Sequence, residues 1–259
     1  MGDLGWMPVI LKLPEEYLFL GNEAFAVLLL YFIILILVNA SVQASLITVN
    51  SGDSIQGAIS VAHPGDTILV EKGIYYEHLQ VSKPIALNGI GFPVLDATAS
   101  GSAVTISADG VIFEGFRIIN SGSLQRNQNE AAIKVHSNNN TLKSNDISNN
   151  FNGILIQEAT GNRVYDNILR GNLGYGIRLW RASNNTIYGN IFEDNFGSNV
   201  FDDGLNRWDH NNSGNFYSDF DSPDKGCFDE NRDGFCDSTH AIPGGLSVDM
   251  RPLSRIFGL

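Results

Sequence analysis

The feature that most constrains this chain is a repeat of about 23 residues in its second half. Three segments superimpose: NTLKSNDI from Asn140, NRVYDNIL from Asn162 and NTIYGNIF from Asn185. Their inner asparagines form a row, with steps of 22, 23 and 25 residues, at Asn145, Asn167, Asn190 and Asn215. Because nearly equal steps bring these residues to equivalent places, the row predicts stacked units whose asparagines pass hydrogen bonds from one unit to the next.

A second row with the same period predicts the strands. It consists of AIKV at Ala132, GILI at Gly153, GIRL at Gly176 and SNVF at Ser198. Residues in each tetrad alternate between two faces, as in a β-strand, so each unit is expected to contain two short strands and two turns. A unit this small cannot bury its apolar side alone and must stack on its neighbours, about 4.8 Å away. The predicted fold is all-β: a single-stranded right-handed parallel β-helix over residues 45–220.

Composition agrees with many tight turns and excludes one class of partner. Asparagine occurs 27 times in 259 residues, and 19 of these lie between Asn138 and Asn215. Asparagine tolerates the left-handed conformation that tight turns need. The formal net charge of −12 leaves no basic surface for a phosphate backbone, so nucleic acid is not an expected partner.

The amino-terminal region predicts export and a cap for the solenoid. An apolar run, Ala24–Val38, suits a secretory signal cleaved after Ala44, with an uncleaved membrane anchor over residues 1–44 as the alternative. Only this segment is expected to meet a membrane, and the rest is expected in the periplasm, outside the cell or on its surface. Asp53–Ala62 predicts a short capping helix with a capping box formed by Asp53 and Gln56. The first strand is then expected at Thr67–Val70.

Three stretches resemble a known family. Ile55–Ala97 is similar to the start of pectin-lyase-like β-helices, and the NNT-type coils continue the likeness. The tail segments GNFYSDFD, DENRDGFCD and AIPGGLSVDMRPL resemble NosD-like proteins, within the wider carbohydrate-binding and sugar-hydrolase β-helix class. The resemblance implies the fold. For activity it implies several possibilities, since members include lyases, hydrolases, epimerases and proteins without known catalysis, and NosD is associated with assembly of the copper centre of nitrous oxide reductase.

The tail, residues 221–259, contains an acidic loop between two cysteines and is predicted to cap the last coil. The acidic loop offers oxygen ligands that would suit a structural Ca²⁺ ion, with Gly234 at the bend. These ligands are Asp229, Asn231, Asp233, the Phe235 carbonyl and Asp237. His240 stands where a complete EF-hand has glutamate, and the alternative is an acidic turn without metal. An exported location and a short loop favour a disulfide between Cys227 and Cys236. Scattered histidines and a single exported methionine, Met250, disfavour copper.

The outward positions of the second strand row predict a ligand-binding face. One line reads Lys134, Leu155, Arg178, Phe201, and the next reads His136, Gln157, Trp180, Asp203. Aromatic rings beside polar groups suit sugar binding, and the alternative is a solvated sheet face. We expect Glu158 and Asp203 to lie too far apart for a glycosidase pair.

The favoured interpretation is therefore an exported, non-catalytic module that binds carbohydrate or a surface protein. One alternative is a lyase, hydrolase or epimerase that acts on a polysaccharide at this face. The other is a NosD-like accessory protein in copper-centre assembly.

Overall fold

The computed structural model describes residues 27, 29–31, 44–122 and 129–254. The predicted leader, residues 1–44, lies almost entirely outside the described residues. Within the described ranges, no helix is long and apolar enough to cross a membrane.

Twenty strands form three parallel sheets that run along the solenoid. Sheet 1 contains, in spatial order, β1 (Leu46–Val49), β2 (Thr67–Val70), β5 (Ala86–Gly89), β8 (Ile112–Glu114), β11 (Thr141–Lys143), β14 (Arg163–Tyr165) and β17 (Thr186–Tyr188). Sheet 2 contains β3 (Ile74–Tyr75), β6 (Val94–Asp96), β9 (Arg117–Ile119), β12 (Asp146–Ser148), β15 (Ile168–Arg170), β18 (Ile191–Glu193) and β20 (Phe216–Tyr217). Sheet 3 contains β4 (Leu79–Val81), β7 (Val104–Ile106), β10 (Ala131–Val135), β13 (Asn152–Gln157), β16 (Tyr175–Trp180) and β19 (Ser198–Asp202).

This arrangement confirms the predicted parallel β-helix and corrects its details. Each coil has three strands, one in each sheet, whereas the sequence predicted two. Within the segment NTLKSNDI, Asn145 makes a corner and separates β11 from β12. The strand at Thr67–Val70 is also not the first, because β1 precedes it and pairs with it in parallel.

Apolar side chains fill the interior in stacked rows. One row, set by the register of sheet 1, is Leu87, Phe113, Leu142, Val164 and Ile187, and all five are fully buried. Each such side chain removed from water contributes about 1.5–3 kcal/mol. The repeated coils therefore share one continuous core, as the stacking argument required.

Buried asparagines form three ladders, one at each corner of the coil. The ladders are Asn140–Asn162–Asn185–Asn206, Asn145–Asn167–Asn190–Asn215 and Asn150–Asn172–Asn195–Asn199. In each, the Nδ2 group donates to the Oδ1 atom of the next asparagine. Each ladder ends on a carboxylate oxygen, of Asp202, Asp249 and Asp219 respectively. The sequence predicted only the second ladder.

A short helix covers the first coils. The helix α1 (Ile55–Val61) buries Ile55 and Ile59, but its N-cap is Ser54, whose Oγ accepts from Gly57 N. The predicted capping box is wrong, because Asp53 instead accepts from Asn50 N and Gln56 accepts from Gln80 N.

Two charged side chains from the following coil bind the ends of α1. The Glu77 carboxylate accepts from Ile55 N and Gln56 N, each at 2.9 Å. The Lys83 ammonium donates to three carbonyls at the other end, those of Ile59, Ser60 and Ala62. Opposite charges at the two ends complement the helix dipole, so α1 is fixed onto the solenoid at both ends.

The tail contacts the last coils. Phe216 pairs with Leu253, and Asp249 accepts from the backbone N–H of Asn215. A two-stranded antiparallel sheet, β21 (His240–Ala241) with β22 (Val248–Asp249), lies within the tail. Cys227 and Cys236 form a disulfide, which confirms that prediction.

Candidate functional site

The outward side of sheet 3 brings the predicted face residues together. The register aligns Lys134, Leu155, Arg178 and Phe201 across four neighbouring strands, and it places Gln157 beside Trp180. His136 and Asp203 directly follow their strands, and their N–H groups donate to Ile106 O and Leu179 O of adjacent coils. The sheet 3 face is defined here as Lys134, His136, Gln157, Arg178, Trp180 and Asp203.

Three aromatic rings surround the Arg178 guanidinium. Its Cζ atom lies 4.5 Å from the ring centroid of Trp180, 5.6 Å from that of Tyr175 and 5.7 Å from that of Phe201. The rings of Tyr175 and Phe201 are 5.5 Å apart and inclined at 52°. Cation–π contacts of this kind hold the charge in place and orient the rings. Tyr175, Arg178, Trp180 and Phe201 are called the aromatic cluster below.

One atom of the cluster is buried without a partner. Among the described residues, Arg178 Nε has no hydrogen-bond acceptor although it is shielded from solvent. A buried donor without an acceptor costs about 1–3 kcal/mol. A ligand oxygen would recover that free energy only if it reached Nε itself.

Leu155 does not contribute exposed surface, contrary to the prediction. It lies on the outward row, but only 1% of its surface is accessible. Its row neighbours are Lys134 and Arg178, and long side chains of this kind cover apolar surface beside them. Leu155 therefore supports the face from beneath.

Polar groups flank the aromatic cluster. Partial desolvation and, to a smaller extent, the nearby Lys134 charge lower the pKa of His136, which favours the neutral imidazole with one donor and one acceptor. Lys134 and Gln157 are half-buried on the outward rows of the same sheet.

The carboxylates near the face are held by other groups. Glu158 pairs with Arg181 at 3.6 Å, and Asp203 accepts from the backbone N–H of the same residue. Asp202 points inward, where it is fully buried and accepts from Trp208 Nε1. The opposite directions of Asp202 and Asp203 agree with strand alternation. These contacts give each carboxylate a local structural partner.

Tyr175 was missed by the sequence reasoning. Strand alternation puts Arg178 and Trp180 on the outward face and would put Tyr175 on the inward one. Tyr175 occupies the first position of β16, beside a corner, where strict alternation does not hold. The sequence offers no period-two signal for it.

The acidic loop of the tail is closed by its own hydrogen bonds. Asp229 accepts from Gly234 N and Ser254 Oγ, and Asn231 accepts from Asp233 N. Asp233 accepts from Phe235 N, and Asp237 accepts from Glu230 N. In the part of the chain that the structure describes, no three His, Cys, Asp or Glu side chains gather as a metal site. The calcium site therefore stays a prediction.

The donor groups do not fit a copper site either. The two cysteines are disulfide-bonded and offer no thiolate. His240 packs between the rings of Tyr217 and Phe220, at 4.4 and 4.5 Å, while His210 packs on Tyr188. Copper prefers clustered imidazole or sulfur ligands, and the described residues bring no such set together.

Comparison with known protein families identifies the family of this chain. The family model described as "Periplasmic copper-binding protein (NosD)" matches residues 37–222. The chain belongs to the NosD family. The family description supports the predicted location outside the cytoplasm. No curated protein and no solved structure matches the chain.

Proposed function

We propose that this NosD-family protein is an exported, non-catalytic module that binds carbohydrate through the sheet 3 face. The observation that carries the proposal is the aromatic cluster, in which Trp180 and Phe201 flank Arg178 on the outside of a rigid sheet. Sugar-binding surfaces combine aromatic planes for the apolar ring face with a few fixed polar groups for the hydroxyls.

The chemistry around the cluster supports a sugar ligand. The rings of the aromatic cluster are half-buried, so part of their apolar surface is already shielded from water. Removing the remaining water when a ligand binds therefore costs little. The guanidinium of Arg178, the amide of Gln157 and the neutral imidazole of His136 supply donors and acceptors within the same two or three coils. A sugar with both an apolar face and a ring of hydroxyl groups uses both kinds of contact.

The absence of a catalytic function is proposed from the contacts of the carboxylates. Glycoside hydrolysis needs two carboxyl groups directed at one bond. Glu158 is paired with Arg181, and Asp203 is bonded to the adjacent backbone. The backbone bond orients Asp203, whereas the Glu158–Arg181 pair joins two largely exposed side chains. On these contacts we favour a binding role over a polysaccharide lyase, hydrolase or epimerase.

Glycan binding by matched variants tests the proposal. We expect Trp180→Ala to weaken glycan binding at least tenfold, measured first on a glycan array and then by calorimetry. Tyr188→Ala is the control, because Tyr188 is an outward ring of sheet 1 stacked on Tyr165 at 4.9 Å. Equal affinities in Trp180→Ala and wild type, or release of reducing or unsaturated sugar by wild type, would contradict the proposal.

The family match favours a second candidate, an accessory role in copper-centre assembly. Since the described residues do not fit a copper site, such a role would act through a protein partner bound to the solenoid surface. Equilibrium dialysis with Cu⁺ and Cu²⁺ tests whether the chain holds copper itself. Copper retained against a competing chelator would contradict the partner-mediated form of this role, whereas glycan binding without copper retention would support the carbohydrate proposal.

A further inference from the structure

Two exposed apolar side chains lie at the corner that leads into sheet 3. Leu173 is 56% exposed and Phe196 is 78% exposed, which makes Phe196 the most exposed aromatic side chain among the described residues. Each directly follows a ladder asparagine, Asn172 and Asn195, so both are held at fixed positions in adjacent coils. Packing within the solenoid does not account for either side chain.

These two residues and the aromatic cluster belong to the same two coils. Leu173 precedes β16 by two residues, and Phe196 precedes β19 by two residues. The strand β16 itself, from Tyr175 to Trp180, advances five residue steps, or about 17 Å, with Leu173 at the corner before it. Exposed apolar surface therefore follows the strand direction, across the solenoid.

The apolar surface does not continue along the axis of the solenoid. In the coils below, the outward residues of sheet 3 are Gln80, Thr105 and Lys134, which are polar, and Leu155, which is buried. On the other side the tail closes the surface: Pro243 O accepts from Asp202 N, and Gly244 lies against the Phe201 ring. The result is a strip two coils wide.

We infer that the ligand is a polysaccharide chain laid along β16 and β19, crosswise to the solenoid axis, with Leu173 and Phe196 as a second subsite for its far end. The inference rests on the proposed carbohydrate function and adds a ligand size and direction. A peptide fits this strip less well, because sheet 3 offers its outward side there and an added peptide strand needs an open sheet edge.

Chain-length dependence tests the second subsite. The probes are oligomers of glucose, of N-acetylglucosamine and of hexuronic acid, each from two to six units, titrated by calorimetry. For whichever series binds wild type, we expect affinity to rise about tenfold from two to six units, because the longer chain adds one aromatic contact. In Phe196→Ser and Leu173→Ser this rise should shrink to less than threefold, while the affinity for two units stays unchanged.

The controls separate the inference from the proposed function. Tyr76→Ser and Ile74→Ser remove exposed apolar side chains from the first coils and should leave the length dependence intact. If Trp180→Ala abolishes binding but Phe196→Ser keeps the full length dependence, the second subsite is refuted and the carbohydrate function stands. If no oligomer of any series binds wild type, both are refuted.

Discussion

The first three coils and the following coils use different chemistry to build the same solenoid. In the first part, successive partners in sheet 1 are separated by unequal steps. The step is 19 residues from Thr67 to Ala86, 26 from Ala86 to Ile112 and 29 from Ile112 to Thr141. In the second part the steps are nearly equal, with 22 residues from Thr141 to Arg163 and 23 from Arg163 to Thr186. The asparagine ladders begin where the regular steps begin.

The difference shows what an asparagine ladder requires. At each step of a ladder the Oδ1 atom accepts from both the side-chain and the backbone N–H of the preceding asparagine, as Asn167 does for Asn145. Both bonds are also made over a step of 21 residues, from Asn185 to Asn206, and over one of 25 residues, from Asn190 to Asn215, so a ladder goes with coils of nearly equal length. Corners without a ladder, such as the close approach of Gly89 to Gly115, tolerate unequal ones. The proposed binding strip lies on the regular part.

The largest expected effect is the loss of a ladder asparagine. Asn167→Ala removes the acceptor of Asn145 N and Nδ2 and the side-chain donor to the Leu142 carbonyl, while the Tyr165 carbonyl keeps its bond from Ser144 N. At about 1–3 kcal/mol for each buried unsatisfied group, we expect a loss of about 4 kcal/mol in urea unfolding. The control is Asn88→Ala, a half-buried asparagine of the first coils outside any ladder, with an expected loss below about 1 kcal/mol. Equal losses in the two variants would remove the distinction between the two parts.

The second prediction concerns the carboxylate at the end of the same ladder. Burial raises the pKa of Asp249 to about 6, against its hydrogen bonds with Arg251, Asn215 and Tyr217. A pKa above the unfolded value means that this group's contribution to stability is complete below about pH 4 and is lost as the pH rises through 6. The difference corresponds to about 3 kcal/mol.

The pH dependence of Tm checks this prediction. Wild type should gain stability relative to Asp249→Asn as the pH falls from 7 to 4. The lowered pKa of nearby His240 acts in the opposite direction, and the comparison between the two proteins removes most of that contribution. Parallel Tm curves for the two proteins would contradict the raised pKa.

The third prediction concerns the contact between Glu77 and the helix α1, which covers the first coils. Glu77→Gln removes the charge that binds the N-terminus of α1. We expect a loss of about 1 kcal/mol, typical of an N-terminal capping interaction. Hydrogen exchange should show faster exchange in α1 and β4 and unchanged exchange from β11 onward. Faster exchange throughout would mean that the two parts unfold as one unit.

The smallest expected effect belongs to the tail. If the loop from Asp229 to Asp237 holds calcium, removing calcium with a chelator lowers Tm by a few degrees, and adding calcium restores it. Asp233→Asn is the matched variant and should remove the response. An unchanged Tm in wild type would refute the calcium prediction.

How much the sequence predicted depends on whether a residue belongs to the repeat. The row through Asn167 was predictable because one asparagine stands at each step. The two other rows have similar spacing, but Asn140 lies in a run of three asparagines and Asn150 follows Asn149, so the repeat alone did not single out the ladder member.

Contacts outside the repeat were not predictable. The ends of the ladders depend on non-local bonds, such as that between Asn215 and Asp249, which are 34 residues apart. On the sheet 3 face, alternation predicted Arg178 and Trp180, whereas Tyr175 depends on the path of the chain at a corner. Leu155 was placed in the correct row, but its burial depends on the lengths of the side chains on either side.

The most direct test of the account is a crystal structure of the protein with a bound six-unit oligosaccharide from the series that binds. We expect sugar rings over Trp180 and Phe201, a polar contact to Arg178, and a chain that continues across the solenoid to Phe196. A ligand bound instead in the groove of sheet 2, lined by Arg117, Arg170 and Glu193, would contradict it.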